Sequence, residues 1–525
     1  MLRRLLLAVA GGLLIWAAFP DLGVWIAAPV GIAMLVAATR GVGVGGGFGL
    51  GVLGGLAWFV PYVSWTGLHV GPLPWLALAV LQSLFVGLFG AGVSLAHRPV
   101  ADRATAAWSP LSVAAIWSAC EWARASMPFG GFPWGRVAYS QAEGPLLHLA
   151  AWGGPALLGF TTALLGGLAL ATLDATRRQF PARASVSSAR PARRGVGAVL
   201  VPAVTALTLA GAPMLIPLGT DGTPARLMAV QGNAPRNGLD FNAERRQILD
   251  NHGAVTRQAA ADVAAGRLPT PDLVIWPENA SDIDPFVNAD AGAVIDGAVE
   301  AMDRPVLVGA VLGGGRRDLT NTSILWEPGV GATDQRYDKQ ALVPFAEYMP
   351  YRAFFRAITR QVDLLERDFV PGHTSGVIEV PLREGGGTIR AGLGICFEVA
   401  VDRVMDAAVR EGANLLVVQT NNAMFDFSAE SAQQLAISQV RAVQYGRSVV
   451  HSSNVGISAL ITPDGVAHDP TALFTPAVVE GTLPLRTATT PAAALGIAPD
   501  VAFVVLAAVA LIVPARRPRR SRVAG

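Results

Sequence analysis

Three residues whose side chains could together perform acyl chemistry follow one another along the chain. Lys339 lies 61 positions after Glu278 (339 − 278), and Cys396 lies 57 positions after Lys339 (396 − 339). A cysteine attacks a carbonyl carbon only as the thiolate, so it needs a base to take its proton or a cation to hold its charge. Glu278 could take that proton, and Lys339 could stabilise the thiolate and then the oxyanion of a tetrahedral intermediate. The three residue types therefore predict nucleophilic catalysis by Cys396.

Each of the three residues also has a simpler interpretation when it is taken alone. Glu278 could be a solvated loop carboxylate, Lys339 a surface lysine, and Cys396 a small buried residue, as most free cysteines are. Cys120 fits that last interpretation better, because it lies inside an apolar segment. Glu278 and Cys396, in contrast, each end a short apolar run. Ligand sites of α/β sheets lie where strands end, so this placement favours the catalytic interpretation.

Lysine usage singles out Lys339. Lysine and arginine total 40, and Lys339 is the only lysine, so 39 of the basic residues are arginine. Arginine evidently serves wherever a positive charge alone is needed. Lysine differs in being a compact point charge whose pKa shifts readily, whereas the guanidinium is a wide planar fork. One lysine could survive by chance, but this usage favours a position that requires an ammonium group.

Other kinds of site find less support in the sequence. His373 and His451 lie outside the strand-end pattern, so a cysteine–histidine pair is less favoured. The metal-binding and nucleotide-binding motifs HExxH, CxxC and the P-loop do not occur, and we expect neither a metal nor another cofactor. A net charge of +2 gives no basic field for nucleic acid, and two cysteines make no disulfide framework.

The secondary-structure elements that position these residues are predicted to include both membrane-spanning helices and a water-exposed domain. The chain is 52% hydrophobic and 15% charged, whereas soluble domains carry about 25% charged residues. Eight apolar stretches approach the roughly 20 residues that a membrane-spanning helix needs. They cover residues 5–20, 22–39, 43–65, 73–96, 108–125, 145–173, 196–216 and 497–514.

Arginine placement predicts how these spans are oriented. Arginines precede the first span and follow the second, fourth, sixth and eighth, so with eight spans every arginine-rich loop lies on one side, which marks the cytoplasm. The chain then comprises a membrane domain of seven transmembrane helices (1–216), an extracytoplasmic domain (217–495), and an eighth helix with a basic tail (496–525). We expect a multi-pass protein of a bacterial inner or plasma membrane.

The 217–495 segment has the pattern of a layered α/β domain. Short β-rich runs, such as Asp272–Trp276 and Asn414–Gln419, alternate with helical stretches such as Ser431–Tyr445. The segment 348–358 is different, because it is rich in aromatic residues and carries two arginines. We interpret it as an arm that dips into the membrane interface, although an ordinary amphipathic surface helix is the alternative.

The ordered Glu–Lys–Cys set, with the residues around it, resembles the carbon–nitrogen hydrolase (nitrilase) superfamily. The matching pieces are Trp276-Pro277-Glu278, Tyr337-Asp338-Lys339 and Gly394-Ile395-Cys396-Phe397-Glu398. Because the domain follows seven spans and precedes one more, the chain resembles one family within it, apolipoprotein N-acyltransferase. Further matching pieces are Gly131-Phe132-Pro133-Trp134, Tyr139-Ser140-Gln141, Val230-Gln231-Gly232-Asn233, Leu342-Val343-Pro344-Phe345, Glu347-Tyr348-Met349-Pro350 and Ser453-Asn454-Val455-Gly456.

The resemblance implies a fold, a reaction and a set of site residues. The fold is a polytopic α-helical membrane bundle of about eight spans with an αββα sandwich domain. Glu278 is implied as general base, Lys339 as oxyanion stabiliser and Cys396 as the acyl-carrying nucleophile. Supporting or substrate-binding residues are implied at Glu347, Glu398, Phe397, Trp134 and Tyr348. The implied partners are a phospholipid acyl donor, a diacylated apolipoprotein acceptor and membrane lipid.

Two departures from the family pattern bear on substrate fit rather than on chemistry. Phe397 follows the nucleophile where the family often has tyrosine, and Asn421-Asn422-Ala423-Met424-Phe425 stands where it often has Asn-Asp-Ala-Trp-Phe. Two alternatives to acyl transfer stay open. The first is a membrane-tethered amidase or nitrilase-type hydrolase, although an anchor needs one span rather than eight. The second is a non-enzymatic membrane scaffold or transporter, which the complete chemical set disfavours.

Overall fold

The computed structural model describes residues 1–97, 109–179, 195–234, 245–313, 318–374 and 376–515. Some arginines used to predict orientation, such as Arg98 and those at 516–522, lie outside the described residues. The described chain forms two compact units. The first comprises residues 1–64, 72–217 and 495 onward, and the second comprises 65–71 and 218–494. The short segment Trp65–Gly71, which the sequence assigned to the membrane domain, thus groups with the second unit.

The first unit is helical throughout. Its main helices are α1 (Leu2–Ala17), α2 (Ala27–Thr39), α3 (Val44–Tyr62), α4 (Pro72–Ala96), α5 (Ser109–Ser126), α6 (Ala150–Gln179), α7 (Gly195–Gly211) and α14 (Ala498–Ala515). Each expected apolar stretch therefore contains a helix. By length and composition, however, four described helices could cross a membrane, namely Val44–Tyr62, Pro72–Ala96, Leu147–Gln179 and Gly197–Leu215.

The expected count of about eight spans is accordingly not confirmed. The helix Ala27–Thr39 is apolar but has 13 residues, which rise about 20 Å against a hydrocarbon core of about 30 Å. The helix Ala498–Ile512 is also short. Residues 18–26, which include Pro20 and Asp21, separate α1 from α2, and this interruption keeps both helices short.

Glycines on one face of α3 let α4 approach closely. A Cβ added at Gly47 would lie 2.0 Å from Ser94 Oγ, and one added at Gly51 would lie 2.3 Å from the Val86 carbonyl oxygen. Gly55 meets Ser83 in the same way, with 2.8 Å to its Cα. Small residues at such positions are the usual basis of tight helix pairing in lipid.

Two buried charges of α5 hold the segment that follows it. Arg124 donates to the carbonyl oxygens of Phe132 and Trp134, at 2.9 and 2.8 Å, and the Glu121 carboxylate accepts the Val137 N–H at 2.7 Å. Trp134, an expected substrate-binding residue, is 2% exposed in this unit. These two buried charges therefore satisfy backbone groups of the segment that follows the helix.

The second unit contains two six-stranded mixed sheets. The strands are β1 (Thr223–Gln231), β2 (Leu273–Ile275), β3 (Val306–Leu312), β4 (Thr320–Glu327), β5 (Gly331–Asp338), β6 (Val377–Pro381), β7 (Thr388–Ile395), β8 (Leu415–Thr420), β9 (Ser448–Ser453), β10 (Ala459–Ile461), β11 (Ala467–His468) and β12 (Ala477–Leu485). The first sheet has the order β12-β1-β2-β3-β4-β5, and the second has the order β11-β10-β9-β8-β7-β6. The central pairs β1–β2–β3 and β7–β8–β9 are parallel.

Strand periodicity decides which layer each side chain joins. In β1, Leu227 and Ala229 pack in the core between the sheets, whereas Met228 and Val230 pack on the opposite face, against helices. The helices of this unit are α8 (Arg245–Ala264), α9 (Ala289–Met302), α10 (Arg352–Ile358), α11 (Asp402–Arg410), α12 (Glu430–Tyr445) and α13 (Pro491–Leu495). With α8 and α9 on the first sheet and α11 and α12 on the second, the unit is the expected αββα sandwich.

Candidate active site

Glu278 leaves the first sheet where β2 ends. The side chain of Trp276 is buried, and its carbonyl oxygen accepts a 2.6 Å hydrogen bond from Gln419 Nε2 on the other sheet. Gly309 on β3 allows the next residues to approach, since a Cβ there would lie 2.1 Å from the Pro277 carbonyl oxygen and 2.9 Å from Glu278 Cα. The Glu278 carboxylate is thus fixed at the junction of the two sheets.

Lys339 follows β5 and is 1% exposed. Its Nζ donates to Glu347 Oε1 at 2.8 Å and to Glu278 Oε1 at 3.2 Å. Burial alone would lower the pKa of Lys339, but Glu278, Glu347 and Cys396 raise it well above its ordinary value. The lysine is therefore a fixed ammonium group, held by carboxylates on two sides.

Asn321 completes this cluster, and the sequence did not indicate it. Its Nδ2 donates to Glu278 Oε1 at 2.6 Å and to Glu347 Oε1 at 3.3 Å, and its carbonyl accepts the Lys339 backbone N–H at 2.8 Å. The second Glu278 oxygen accepts the Asn421 N–H at 2.8 Å. Both Glu278 oxygens are therefore oriented from outside before any substrate binds.

Cys396 stands at a sharp turn between β7 and the 3₁₀ segment Cys396–Ala400. Its φ is +53°, a left-handed conformation that costs a non-glycine residue free energy and is frequent at functional sites. The thiol is partly buried. Burial and the neighbouring Glu278 raise the pKa of Cys396 above its ordinary value, and Lys339 opposes that rise. The protonated thiol is thus favoured by burial and by Glu278, and the thiolate is favoured by Lys339.

Two glycines before the nucleophile let helix α11 pack directly on β7. A Cβ at Gly392 would lie 3.1 Å from Ala408 Cβ, and one at Gly394 would lie 2.9 Å from Met405 Sδ. The Gly-Leu-Gly run therefore serves close helix packing behind the strand that carries Cys396.

Glu398 ties the lysine loop to the cysteine turn. Its Oε1 accepts the backbone N–H groups of Gln340 and Ala341 at 2.7 and 2.8 Å, and Oε2 accepts that of Ile395 at 2.9 Å. The Tyr337 hydroxyl donates to the same carboxyl at 2.9 Å. Burial raises the pKa of Glu398, and the nearby charge of Lys339 and the N–H donors oppose that rise. Glu398 thus connects the loop after Lys339 to the turn at Cys396 through hydrogen bonds.

The other residues expected to support the site differ in how near they lie to Lys339 and Cys396. Glu347 Oε2 accepts the Val343 N–H at 2.7 Å, so this carboxylate is fixed while its Oε1 faces Lys339. Phe397 is 8% exposed, directly after the nucleophile. Tyr348 contributes its carbonyl oxygen to the Phe345 N–H at 2.8 Å. Trp134 belongs to the other unit.

The arrangement contains the parts of a covalent acyl-transfer site. Glu278 can accept the thiol proton, because its carboxylate is held in the same buried cluster and acts electrostatically on Cys396. Lys339 can stabilise negative charge on the sulfur and on a tetrahedral intermediate.

Comparisons with known proteins agree with these features. The model for the apolipoprotein N-acyltransferase N-terminal domain matches residues 11–168, and the carbon–nitrogen hydrolase model matches residues 229–490. An apolipoprotein N-acyltransferase of Mycolicibacterium smegmatis is 43% identical over 96% of this chain and 84% of its own length. One of Azotobacter vinelandii is 31% identical over 91% of this chain and 88% of its own.

Solved structures similar to this chain include an amidase from Nesterenkonia sp. It is 17% identical, with a TM-score of 0.37, and the match covers 52% of this chain and 93% of the amidase. The family predicted from the motifs is confirmed by the sequence matches over nearly the whole chain. The chain belongs to the apolipoprotein N-acyltransferase family of the nitrilase superfamily.

Proposed function

We propose that this protein moves an acyl chain from a phospholipid, through a thioester on Cys396, to the N-terminal amine of a diacylglyceryl-cysteine lipoprotein. The observation that carries the proposal is the position of Lys339. Its ammonium is buried between Glu278 and Glu347 and interacts electrostatically with Cys396. Base, cation and nucleophile thus occupy one cluster.

In the first half-reaction, Glu278 takes the proton of Cys396, and the sulfur attacks the ester carbonyl of the phospholipid. Lys339 stabilises the oxyanion that forms. When the intermediate collapses, the carbon–oxygen ester bond breaks, and Glu278 returns its proton to the departing alkoxide. The products are a lysophospholipid and an S-acyl thioester. Because burial and Glu278 raise the pKa of the Cys396 thiol, transfer of its proton to Glu278 accompanies the attack of the sulfur on the carbonyl carbon.

In the second half-reaction, the α-amine of the acceptor attacks the thioester carbonyl. Lys339 again stabilises the oxyanion, the carbon–sulfur bond breaks, and an amide forms. Glu278 takes a proton from the attacking nitrogen and passes it to the departing sulfur, which regenerates the thiol. The enzyme thereby cycles between a free and an acylated state, as in other ping-pong reactions.

Both substrates are lipid-anchored, which gives a physical reason for joining the site to apolar helices. We place the catalytic unit on the extracytoplasmic face of a multi-pass protein of the bacterial cell membrane. The arm, residues 348–358, supports contact with lipid. Tyr351, Phe354 and Ile358 are 74%, 63% and 61% exposed, which is unusual for large apolar side chains in water. The two arginines of the arm pair with carboxylates that follow it in the chain, Arg352 with Asp368 and Arg356 with Asp363.

Hydrolysis is the main competing function, because water could attack the same thioester. The test is to incubate the purified full chain with a phospholipid that carries a labelled acyl chain, with and without a diacylated lipopeptide. Acyl transfer predicts a labelled amide that depends on the lipopeptide and little free fatty acid. Free fatty acid at the same rate with and without lipopeptide, and no amide, would replace the proposal with a hydrolase.

A further inference from the structure

A second polar cluster lies beside the sulfur of Cys396, and the reaction steps above assign it no role. Gln434, on helix α12 and fully buried, places Nε2 3.6 Å from Cys396 Sγ, within hydrogen-bonding range for sulfur. Gln434 Oε1 accepts hydrogen bonds from Thr420 Oγ1 at 2.7 Å and from Asn422 Nδ2 at 2.9 Å. Gln434 therefore connects Cys396 to the last residue of β8, Thr420, and to Asn422 in the loop that follows.

The hydrogen bonds that orient Asn422 run through Ser453 to a backbone group. The Gly456 N–H donates to Ser453 Oγ at 2.7 Å, and the Ser453 hydroxyl donates to Asn422 Oδ1, 2.5 Å away. With its oxygen so occupied, Asn422 turns its NH₂ group to Gln434 Oε1 and to the carboxyl of Glu430, which lies 2.7 Å from Nδ2.

The orientation of Gln434 follows from that chain. Because Asn422 Nδ2 is a donor, the Gln434 atom facing it must be the oxygen, and the NH₂ group must face the sulfur. An amide N–H aimed at sulfur is a better partner for a thiolate than for a thiol, because hydrogen bonds to charged groups are the stronger ones. Gln434 therefore favours the ionised form of Cys396.

We propose that Gln434 is a further catalytic residue, a fixed N–H donor that stabilises the Cys396 thiolate and is positioned by Asn422, Ser453 and Glu430. This inference rests on the proposed role of Cys396 as the nucleophile. Gln434 complements Lys339, because the thiolate is then stabilised from two sides while Glu278 holds the transferred proton.

Glu430 fits the role of an anchor for Asn422 rather than that of a second base. It is 1% exposed and lies at the first turn of α12, with the Asn422 amide as its hydrogen-bond donor. Burial raises the pKa of Glu430 to about 8, Asn422 opposes that rise, and Glu278 adds to it. The charged groups that act on Cys396 are Glu278, Lys339, Glu430 and Glu347.

The test measures thiolate formation directly rather than acyl transfer. In a full-length Cys120→Ala background, Cys396 is the only thiol, and its alkylation by iodoacetamide is followed across pH. We expect Gln434→Met, which keeps length but removes the donor, to raise the apparent pKa of Cys396 by about one unit. Alkylation below that pKa should then slow by about threefold to tenfold, since higher basicity partly offsets the loss of thiolate.

A second variant separates a hydrogen-bonding role from a packing role. Gln434→Glu keeps the shape of the side chain but replaces the N–H donors with acceptor oxygens. If Gln434 acts as a donor, this isosteric change slows alkylation more than Gln434→Met does; if Gln434 only fills space, it is the milder change. Gln439→Met is the matched control, because Gln439 is buried on the same helix and donates to the Gly465 carbonyl, away from the sulfur.

Thermal melts show whether each variant is folded, and the apparent pKa of Cys396 in each folded variant distinguishes the outcomes. Slower alkylation in both Gln434 variants, with Gln439→Met and wild type alike, supports the proposal. Unchanged apparent pKa and rate in a folded Gln434→Met protein overturn it, even if Cys396 remains essential. If Gln434→Met does not fold, Asn422→Ala decides, because it frees the Gln434 amide and should shift the pKa in the same direction. Full acyl transfer in Cys396→Ala would instead reject the proposed function itself.

Discussion

The Nζ atom of Lys339 lies 3.2 Å from Oε1 of Glu278, and the two side chains are 1% and 5% exposed. A buried ion pair of this kind gains stability only when its remaining hydrogen-bonding groups are satisfied. Asn321 and Glu347 meet that need here. Glu278 and Lys339 are consequently held in one hydrogen-bonded cluster whose geometry depends on the shape as well as the charge of Lys339.

Replacing Lys339 with arginine should be nearly as damaging as replacing it with alanine. The site accommodates a compact ammonium between two carboxylates, and a planar guanidinium would displace either the substrate carbonyl or Glu278. We expect acyl transfer to a fluorescent diacylated lipopeptide to fall by about 100-fold or more in both variants. Arg336→Lys, on the exposed part of β5, is the control and should retain activity. Retention of more than about a third of the wild-type rate in Lys339→Arg would make Lys339 a generic charge.

Gly309→Ala should impair the site by displacing the backbone of Pro277 and Glu278. Its new Cβ would lie 2.1 Å from the Pro277 carbonyl oxygen, so the backbone that carries the base must move. We expect at least about a tenfold loss of acyl transfer. The control is Gly297→Ala on helix α9, where nothing lies within 4 Å of the added Cβ. That change should leave the rate intact and stabilise the protein by about 0.5–1 kcal/mol, as helical Gly→Ala changes do. Equal rates of acyl transfer for Gly309→Ala and Gly297→Ala would contradict the close approach of Gly309 to Pro277.

Mild acid should destabilise the catalytic unit through His252. This histidine is fully buried, its Nδ1 lies 2.8 Å from the Ile248 carbonyl oxygen, and burial lowers the pKa of His252 to about 4. Between pH 4 and about 6.5 the unfolded chain binds a proton that the folded chain does not, so stability is complete above about 6.5 and is lost as pH falls towards 4. The contribution is about 3 kcal/mol.

The measurement for His252 is thermal unfolding of the full chain in detergent at pH 5 and at pH 7.5. Wild type should melt at a lower temperature at pH 5, and His252→Phe should reduce that difference, because phenylalanine binds no proton. The pH comparison within each protein removes the packing cost of the substitution. A difference as large in His252→Phe as in wild type would show that other groups cause the acid sensitivity.

The sequence grouped three candidate residues that the structure places in one buried cluster, but it predicted their surroundings less well. Glu278 and Cys396 stood out because each ends an apolar run, as ligand-binding residues of α/β sheets do, and Lys339 stood out because it is the only lysine. Asn321 gave no such signal, because it lies near the start of an antiparallel strand, and Gln434 is one of several glutamines in a helix. Their roles depend on which side chains face the sulfur and the lysine, which local pattern does not encode.

Long-range packing explains the other differences from expectation. The segment Trp65–Gly71 joins two apolar helices in sequence, yet Trp65 Nε1 donates to Gln433 Oε1 at 3.2 Å and its ring meets Phe425 edge to face. Periodicity cannot reveal contacts between residues 368 positions apart. Hydropathy located the apolar helices, and four of the described ones are long and apolar enough to cross a membrane.

The proposed orientation predicts opposite compartments for two nearby positions. Arginine-rich segments mark the cytoplasmic side, so the loop before Gly195 should be cytoplasmic and the catalytic unit after Gly219 should lie outside. Reporter fusions made after Gly195 and after Gly219 should therefore be active in different compartments. The same compartment for both would remove the crossing helix α7 from the membrane and with it the proposed placement of the active site.

The most direct test of the account is the intact mass of the full chain after incubation with phospholipid. We predict a mass increase of one acyl group on Cys396 that hydroxylamine removes and that a diacylated lipopeptide discharges as an N-acyl product. Cys120→Ala should form the adduct normally, Cys396→Ala should form none, and Cys396→Ser should form little, because a hydroxyl is a weaker nucleophile. An adduct that persists in Cys396→Ala, or acyl transfer by that variant at the wild-type rate, would contradict the central claim.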